Sequence, residues 1–307
     1  TVFQVHLKGE YLEYDDGYKN LSRTNSALSL NLARLNVGYR WAISFGGDYV
    51  EDFGVLPSGV AVLFRESPRI FLMVGVGYSE RAPSLYELHL PFVQKSAIYG
   101  SGQAKYADQG NSELKKEKQL TGNVTLELGS PDNSIEISVT GGNIFDGIDW
   151  QNQEVTDSLG TYILFSPING DIAFVDVSVQ PKLRLKNFLH LLVGGAYHYL
   201  DYKEFESKAY SPEYQFFSGM ELHVYWSQKL LDLFAYGEIV YTGTYDGYDK
   251  KGLGNELVAN AKLSLGLKDF RFHFVFQNAL SNVYSAREYI TFPGRYFYYG
   301  LTWSFLN

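Results

Sequence analysis

The side chains in this sequence that could do chemistry are six histidines, set among many carboxylates and without any cysteine. Without a thiol, the chain has no disulfide, no thiolate metal site and no cysteine nucleophile. The HExxH and GxSxG spacings, which mark zinc hydrolases and serine hydrolases, do not occur. His190 and His198 lie eight residues apart on one predicted strand, too far apart to share one metal. The sequence therefore predicts a protein that is not an enzyme and binds no cofactor. The alternative is a hydrolase that assembles His, Ser and Asp from separate strands.

Three acidic clusters could bind a divalent ion. They are Asp15-Asp16, Asp201 to Glu204 and Asp246 to Asp249. None has the twelve-residue ligand spacing of an EF-hand. We therefore predict no metal site, and we expect these segments to bridge anionic groups through divalent ions or to stay solvated.

A second set of polar side chains alternates with apolar residues along the predicted strands. If the apolar side of each strand faces lipid, the other side faces a water-filled lumen. Charges there could select ions and orient polar solutes; the other interpretation is that they are solvated or paired across strands. The lumen candidates are Lys8, Glu10, Glu136, Asp176, Arg184, Glu221, His223, Lys262, Arg271 and His273, with His6, Lys182, Asp232 and Glu238 on the same sides.

The strand that closes the chain, residues 295–305, shows this alternation most clearly. One side is apolar and aromatic, and the other carries tyrosine, glycine, threonine and serine. That period of two is typical of a β-strand. Lipid on one side and a wet lumen on the other explain both faces. The apolar side consists of Phe297, Tyr299, Leu301, Trp303 and Phe305.

The same pattern along the rest of the chain predicts an all-β fold. We expect a transmembrane antiparallel β-barrel of about 14 strands, a single domain over residues 1–307, with both termini on the periplasmic side. Short turns alternate with long segments, which we interpret as external loops at 81–118, 151–170 and 281–294. In the second of these, residues 162–165 could extend a strand. A β-sandwich is the alternative, but strands of twelve or more residues exceed the ~5 to 6 of soluble sheets.

Composition supports this fold class. The 307 residues include 25 Tyr and 21 Phe, and aromatic residues are enriched where barrels cross the bilayer interfaces. The formal net charge of −8 argues against a nucleic-acid partner. Apolar runs fall short of the ~18 to 20 residues that a membrane helix requires. Membrane lipid and lipopolysaccharide are the expected surroundings.

Three segments resemble the C-terminal half of TonB-dependent outer-membrane receptors. Residues 77–88, Gly-Tyr-Ser-Glu-Arg-Ala-Pro-Ser-Leu-Tyr-Glu-Leu, resemble the family's Phe-Arg-Ala-Pro-Ser-Leu-x-Glu-Leu, with Glu80 in place of Phe. Residues 110–117, Gly-Asn-Ser-Glu-Leu-Lys-Lys-Glu, resemble Gly-Asn-Pro-x-Leu-Lys-Pro-Glu, with Ser112 and Lys116 in place of the prolines. Residues 278–284 and 293–295 resemble the Asn-Leu-x-x-x-x-Tyr and Pro-Gly-Arg signature.

The resemblance implies uptake of a small solute, such as a metal chelate or vitamin, across the bacterial outer membrane. The family has a plug domain inside a 22-stranded barrel and a short box that recruits an energy-coupling protein. Because a strand pattern begins at Phe3, we expect either the later part of such a receptor or a plugless relative. The alternative function is a porin-like passive channel or a structural barrel subunit of an envelope complex. The closing strand also resembles the signal read by the barrel-assembly machinery.

The last candidates lie in the long segments. Arg81 and Glu87 are expected to pair at the barrel rim, and Arg295 to have a similar structural role. The aromatic residues could stack on a ligand or anchor the barrel at the interface. These are Tyr86, Tyr99 and Tyr106, with Phe92 nearby.

Overall fold

The computed structural model consists almost entirely of antiparallel β-strands. It describes residues 2–15, 20–35, 39–99, 102–130, 132–158, 160–203, 211–226, 230–247, 252–282, 284–287, 290–292 and 294–304. The elements in chain order are β1 (Val2–Asp15), β2 (Asn20–Leu35), β3 (Tyr39–Val50), β4 (Gly54–Ser67), β5 (Ile70–Arg81), α1 (Leu85–His89), β6 (Val93–Tyr99), β7 (Gly102–Asp108), β8 (Glu117–Ser130), β9 (Asn133–Asp157), β10 (Gly160–Lys186), β11 (Leu189–Tyr202), β12 (Tyr214–Trp226), β13 (Leu231–Thr242), β14 (Tyr245–Asp246), β15 (Gly252–Leu253), β16 (Glu256–Leu267), β17 (Phe270–Gln277), β18 (Tyr284–Arg287), β19 (Ile290–Phe292) and β20 (Tyr296–Trp303).

Fourteen of these strands form one continuous path of neighbours. The order is β1-β2-β3-β4-β5-β8-β9-β10-β11-β12-β13-β16-β17-β20. Every strand in the path pairs with its neighbour in antiparallel fashion. The predicted count of fourteen is confirmed. Between the described residues, no ladder joins β1 to β20.

The register gives this sheet one polar and one apolar face. Residues directly opposite each other in antiparallel neighbours share a face. One row of the apolar face runs through Leu265, Phe272 and Leu301, whose exposed fractions are 38%, 42% and 59%. Large apolar side chains exposed along a whole sheet face fit a hydrocarbon surrounding. No helix in the described part of the chain has the length and apolar character that crossing a bilayer requires.

The structure replaces the irregular loop expected at 81–118 with ordered elements. The short helix α1 follows β5, and the hairpin of β6 and β7 comes next. Strand β7 pairs in parallel with β10 through residues 163–165. Sequence reasoning missed these elements because their alternation is short and lies between polar residues.

The segment 151–170, expected to contain a strand extension at 162–165, is a β-hairpin apart from its turn. Strands β9 and β10 continue through it as a long ladder from Asp157 opposite Gly160 down to Asn133 opposite Leu183. Both strands exceed twenty residues, more than a tilted crossing of about 9 to 11 residues requires. We call residues 147–157 of β9 and 160–170 of β10 the extension.

An irregularity marks the base of the extension. The register of β9 and β10 shifts between Gly170 and Ile172, and Asp146 takes a left-handed φ of 51°. The Asp171 carboxylate accepts a hydrogen bond from the Asp146 backbone N–H at 3.2 Å. A bulge of this kind re-aims a strand, so the extension begins where the regular ladder is broken.

One further segment differs from the expectations. The segment 281–294 contains the small hairpin of β18 and β19. Phe305, expected in the closing strand, lies outside the described residues.

Candidate functional site

Three histidines on the polar face contact carboxylates of neighbouring strands. His198 Nδ1 lies 2.7 Å from Asp176 Oδ1, and His190 Nδ1 lies 3.9 Å from Glu221 Oε1. In both pairs the two residues are directly opposite in the ladder. The sequence identified Asp176 and Glu221 as candidates but could not identify their partners, because pairing depends on register.

The third histidine belongs to a triad that spans four strands. His223 Nε2 of β12 lies 2.8 Å from Asp232 Oδ1 of β13. The other oxygen of Asp232 accepts a hydrogen bond from the guanidinium of Arg271 on β17. Strand β16 lies between them and contributes Gly266, opposite both residues. Because Gly266 has no side chain, Arg271 reaches across one strand to the carboxylate.

A second polar network lies along β13, β16 and β17. The Tyr236 hydroxyl donates to Glu238 at 2.6 Å, and Asn260 Nδ2 donates to the same carboxylate at 2.9 Å. Asn260 Oδ1 accepts from the backbone N–H of Asn278 at 3.0 Å. Side chains of β13 and β16 thus contact each other, and Asn260 links them to the backbone of Asn278, which follows β17.

The remaining face candidates do not join these groups. Arg184 pairs with Asp132 at 2.8 Å beside a short turn. Lys262 Nζ lies 5.8 Å from the centre of the Phe234 ring, a cation–π contact. His273 Nε2 lies 3.2 Å from Thr302 Oγ1.

Glu136 is exposed and stands opposite Gln180 and Glu127. The side chains of Lys8 and Glu10 lie outside those that the structure describes, although their backbones pair with Ala27 and Asn25. Among the described residues, no group of three or more His, Cys, Asp or Glu is placed to hold a metal ion.

At the end of β5, Arg81 joins the helix α1 to the barrel strands. Its guanidinium lies 3.2 Å from Glu87 and 3.3 Å from Glu117, so the expected Arg81–Glu87 pair is present. Glu87 also completes a capping box with Ser84 at the start of α1. The box satisfies backbone donors that a helix start leaves free.

Asparagines dock the rest of this segment onto the extension. Asn111 Nδ2 donates to the Pro167 carbonyl at 3.0 Å. Asn169 accepts from the Lys115 backbone N–H at 2.7 Å and donates to the Asp146 carbonyl at 2.6 Å. Gly110 lies against the end of α1, where its N–H donates to the Leu90 carbonyl at 2.8 Å and a Cβ would lie 2.6 Å from the Leu90 nitrogen. These contacts explain the Gly-Asn segment that sequence analysis found only as a motif.

Aromatic rings strengthen the same junction. Tyr86 and Trp150 have ring centres 5.7 Å apart, and so do Phe92 and Tyr162. The side chains of Tyr99 and Tyr106 lie outside those described. Tyr86, expected to bind a ligand or anchor the barrel, therefore contacts the extension.

Arg295 is a structural residue of the segment before the closing strand. Its Nε donates to the Ala279 carbonyl at 2.9 Å, and its backbone N–H donates to Ser281 Oγ at 3.3 Å. Asn282 Nδ2 donates to the Leu257 carbonyl at 2.6 Å. Asn282 and Arg295, both within the segments of the third motif, thus tie this part of the chain to the start of β16 and to the residues after β17.

Burial perturbs two ionisable groups of the extension. Burial raises the pKa of Asp149, although the Trp150 N–H donates to its carboxylate at 2.8 Å and opposes the shift. The pKa of the Tyr162 hydroxyl is raised by burial and by its hydrogen bond to Asp157. Both effects favour the uncharged forms of these two groups.

Comparison with known proteins identifies solved structures that have a similar fold. No family model matches the chain, and no curated protein matches it. One similar solved structure is a mutant form of the ferric enterobactin receptor PfeA of Pseudomonas aeruginosa. Its TM-score is 0.68 and its sequence identity is 16%. The match covers 93% of this chain and 45% of that chain. The siderophore receptor PirA of Pseudomonas aeruginosa has TM-score 0.71 and 14% identity, with coverage of 99% and 53%.

The copper transporter OprC has TM-score 0.73 and 16% identity, with coverage of 99% of this chain and 54% of that chain. The chain thus spans about half the length of the structures it matches. At these identities the likeness shows the fold. The resemblance to the barrel part of TonB-dependent receptors is confirmed at that level, and the fold is that of an integral outer-membrane β-barrel.

Proposed function

We propose that this chain, which has the fold of the barrel part of TonB-dependent receptors, forms an outer-membrane transport barrel. It takes up a small solute, such as a metal chelate or a vitamin, along its polar face. The observation that carries the proposal is the division of the sheet into two faces. Exposed apolar side chains cover one face, whereas Asp176, Glu221, His223, Asp232 and Arg271 belong to the other.

In this proposal the rim captures the solute and the polar face conducts it. Asn111 and Lys115 are hydrogen-bonded to Pro167 and Asn169 of the extension, so the two parts of the rim are docked on each other. The paired charges of the polar face present donors and acceptors without a large net charge of either sign. A solute then exchanges hydrogen bonds with the wall instead of binding tightly at one point.

The proposal also includes partners. The apolar face contacts lipid and lipopolysaccharide, and β20 is the segment that the barrel-assembly machinery would recognise. If the whole protein carries a plug, an energy-coupling protein of the inner membrane opens it. Uptake through such a receptor requires a proton gradient, whereas a passive channel does not.

The test uses the whole polypeptide expressed in a Gram-negative strain that lacks its own receptors. Uptake of radiolabelled vitamin B12, ferric chelates and copper chelates is measured with and without a protonophore. We expect accumulation of at least one solute that the protonophore abolishes. Uptake that survives the protonophore, with steady ohmic conductance in planar bilayers, would assign the passive channel instead. Recovery of the protein in a detergent-free soluble fraction would overturn both.

A further inference from the structure

We propose that a groove in the apolar face holds one acyl chain of a lipopolysaccharide molecule. This goes beyond the general lipid contact of the proposed function, on which it rests, by locating a single binding site. The groove has a volume of about 620 Å³, within the range of small-molecule sites. It lies across β10, β11 and β12. Six of its lining residues carry the argument: Val177, Val179, Gly195, Tyr197, Tyr214 and Phe216.

The groove is recessed where one position of the face has no side chain. Val179, Gly195 and Phe216 lie opposite one another in three adjacent strands, and opposite residues share a face. A Cβ at Gly195 would lie 2.8 Å from a ring carbon of Phe216, so the ring leans towards β11. Val179 is 42% exposed and Phe216 is 55% exposed. The side chains on both sides of Gly195 are therefore open to whatever surrounds the barrel.

Three aromatic rings in mutual contact form one wall of the groove. The ring centres of Tyr214 and Phe216 lie 6.0 Å apart, and the Tyr241 ring of β13 lies 6.3 Å from Tyr214 and 6.5 Å from Phe216. The Tyr241 hydroxyl also donates to Asn255 Oδ1 at 3.0 Å. Rings that are already held in contact have little freedom to lose when a ligand binds, which favours affinity.

The surroundings of the groove determine the class of occupant. Val179 continues the same row to Ile137 on β9 and Leu126 on β8, so the groove is continuous with the face that contacts lipid. Among the described residues, no charged side chain lines it. A water-soluble ligand would have to pass through hydrocarbon to reach the groove, whereas a lipid chain is already beside it. An acyl chain is thus the occupant that fits.

The height of the groove selects the outer leaflet. Gly195 lies six residues beyond Leu189, where β11 begins at its periplasmic end. At about 3.3 Å per residue and a tilt of 35–45°, this distance corresponds to a rise of about 14–16 Å, past the middle of an apolar band ~25 Å tall. Lipopolysaccharide is the lipid of that leaflet in an outer membrane.

Charged groups lie above the groove on the same side of β11. The backbone N–H of Lys203 donates to the Asp171 carbonyl at 3.2 Å, so the ladder continues to this residue and alternation places it on the side of Tyr197. Its side chain is 67% exposed, with Nζ 3.8 Å from Asp171 Oδ2, and a lipid phosphate can reach it. The exposed Asp201 lies on this side too, where a divalent ion can bridge a carboxylate to a phosphate.

The test is native mass spectrometry of the whole protein, purified in detergent, stripped of lipid and titrated with lipopolysaccharide that lacks O-antigen. We expect one molecule to stay bound. Gly195→Leu should weaken binding about tenfold, which corresponds to excluding roughly two methylene groups. Lys203→Gln should weaken it about threefold, the effect of one exposed ion pair.

Gly237→Leu is the matched control and should leave binding unchanged. Gly237 lies on the apolar face opposite Met220, outside the groove, and a Cβ there meets only the Asn260 carbonyl oxygen at 3.9 Å. Gel mobility before and after heating confirms that each variant is a folded barrel.

Equal binding by Gly195→Leu and the unmodified protein would overturn the inference. So would the absence of any retained lipopolysaccharide, or equal retention of phosphatidylglycerol in a parallel titration. If the protonophore-sensitive uptake described above occurs while no lipopolysaccharide stays bound, the transport function stands and only this site falls.

Discussion

Glu80 and Lys116 form an ion pair with 2.6 Å between Oε2 and Nζ. These are two of the positions at which the sequence departs from the motifs it resembles, where Phe and Pro are usual. Their segments are far apart in the sequence, yet the pair joins the end of β5 to the residue before β8. The Glu80 side chain is 7% exposed and also accepts from the Tyr78 hydroxyl at 2.6 Å. The two departures therefore compensate each other.

Removing one member of this pair should destabilise the rim more than removing both. Lys116→Leu leaves a buried carboxylate without its cation, which we expect to cost on the order of 2 kcal/mol. Glu80→Leu with Lys116→Leu should recover most of that loss. Urea unfolding in detergent, monitored by tryptophan fluorescence, measures the free energy of unfolding of the two single variants and the double variant. The exposed Arg40–Glu66 pair is the control, and its removal should cost less than about 1 kcal/mol. Additive single effects would contradict the coupling.

Gly266 should be needed for the contact between Arg271 and Asp232. A Cβ at this position would lie 3.2 Å from Asp232 Cβ and 3.5 Å from Arg271 Nη2, so a larger side chain separates the pair. We expect Gly266→Leu to lower the free energy of unfolding by about 1–3 kcal/mol. Gly300→Leu is the matched control, because a Cβ there meets no atom within 4 Å. The loss of unfolding free energy caused by Gly266→Leu should disappear when Asp232→Asn and Arg271→Gln are also present. A loss of the same size in that double variant would show that the leucine clashes sterically and does not act through the ion pair.

Asn278 is expected to stabilise residues 278–282 through both its amide and its backbone. Its side chain accepts from the Asn282 N–H at 3.1 Å and donates to the Asn282 carbonyl at 2.5 Å, and its φ is 49°. Asn278→Gly removes the amide but tolerates the left-handed backbone, whereas Asn278→Ala adds strain of about 1 kcal/mol. The rate of amide hydrogen exchange at residues 279–282 should thus rise in both variants, and it should rise more in Asn278→Ala than in Asn278→Gly.

The control for this experiment is Lys268, which has a φ of 51° in a turn. Lys268→Gly relieves the strained backbone without removing such an amide, so no increase in exchange is expected. Equal exchange in Asn278→Ala and Asn278→Gly would show that backbone strain is unimportant at Asn278.

Stability should depend on pH through Asp149. Its pKa is raised above the ordinary 3.8 by burial, so the folded protein holds this proton more tightly than the unfolded chain does. The resulting stability is full below pH 3.8 and is lost as pH rises through the raised pKa. We expect Asp149→Asn to unfold at a higher temperature than the unmodified protein at pH 7.5, with the difference vanishing near pH 3. Asp269→Asn, at a half-exposed position, is the matched control for the substitution itself.

The alternation of side chains determined much of this protein by itself. Phe297, Leu301 and Trp303 on one side of the last strand, with Thr302 and Gly300 on the other, predict a strand between two different surroundings. A period of two is a local property, so it can be read without knowing any partner. The fourteen strands and the two faces follow from it.

Only the tertiary structure decided which residues meet. His198 lies opposite Asp176, Arg271 crosses Gly266 to Asp232, and the extension replaces an expected loop. A shift of one residue in register would move every side chain of a strand to the other face, and contacts across one or more strands depend on that register. Because the alternation repeats identically along each strand, it specifies which face of the sheet a residue lies on. It does not specify which residue of the adjacent strand lies opposite.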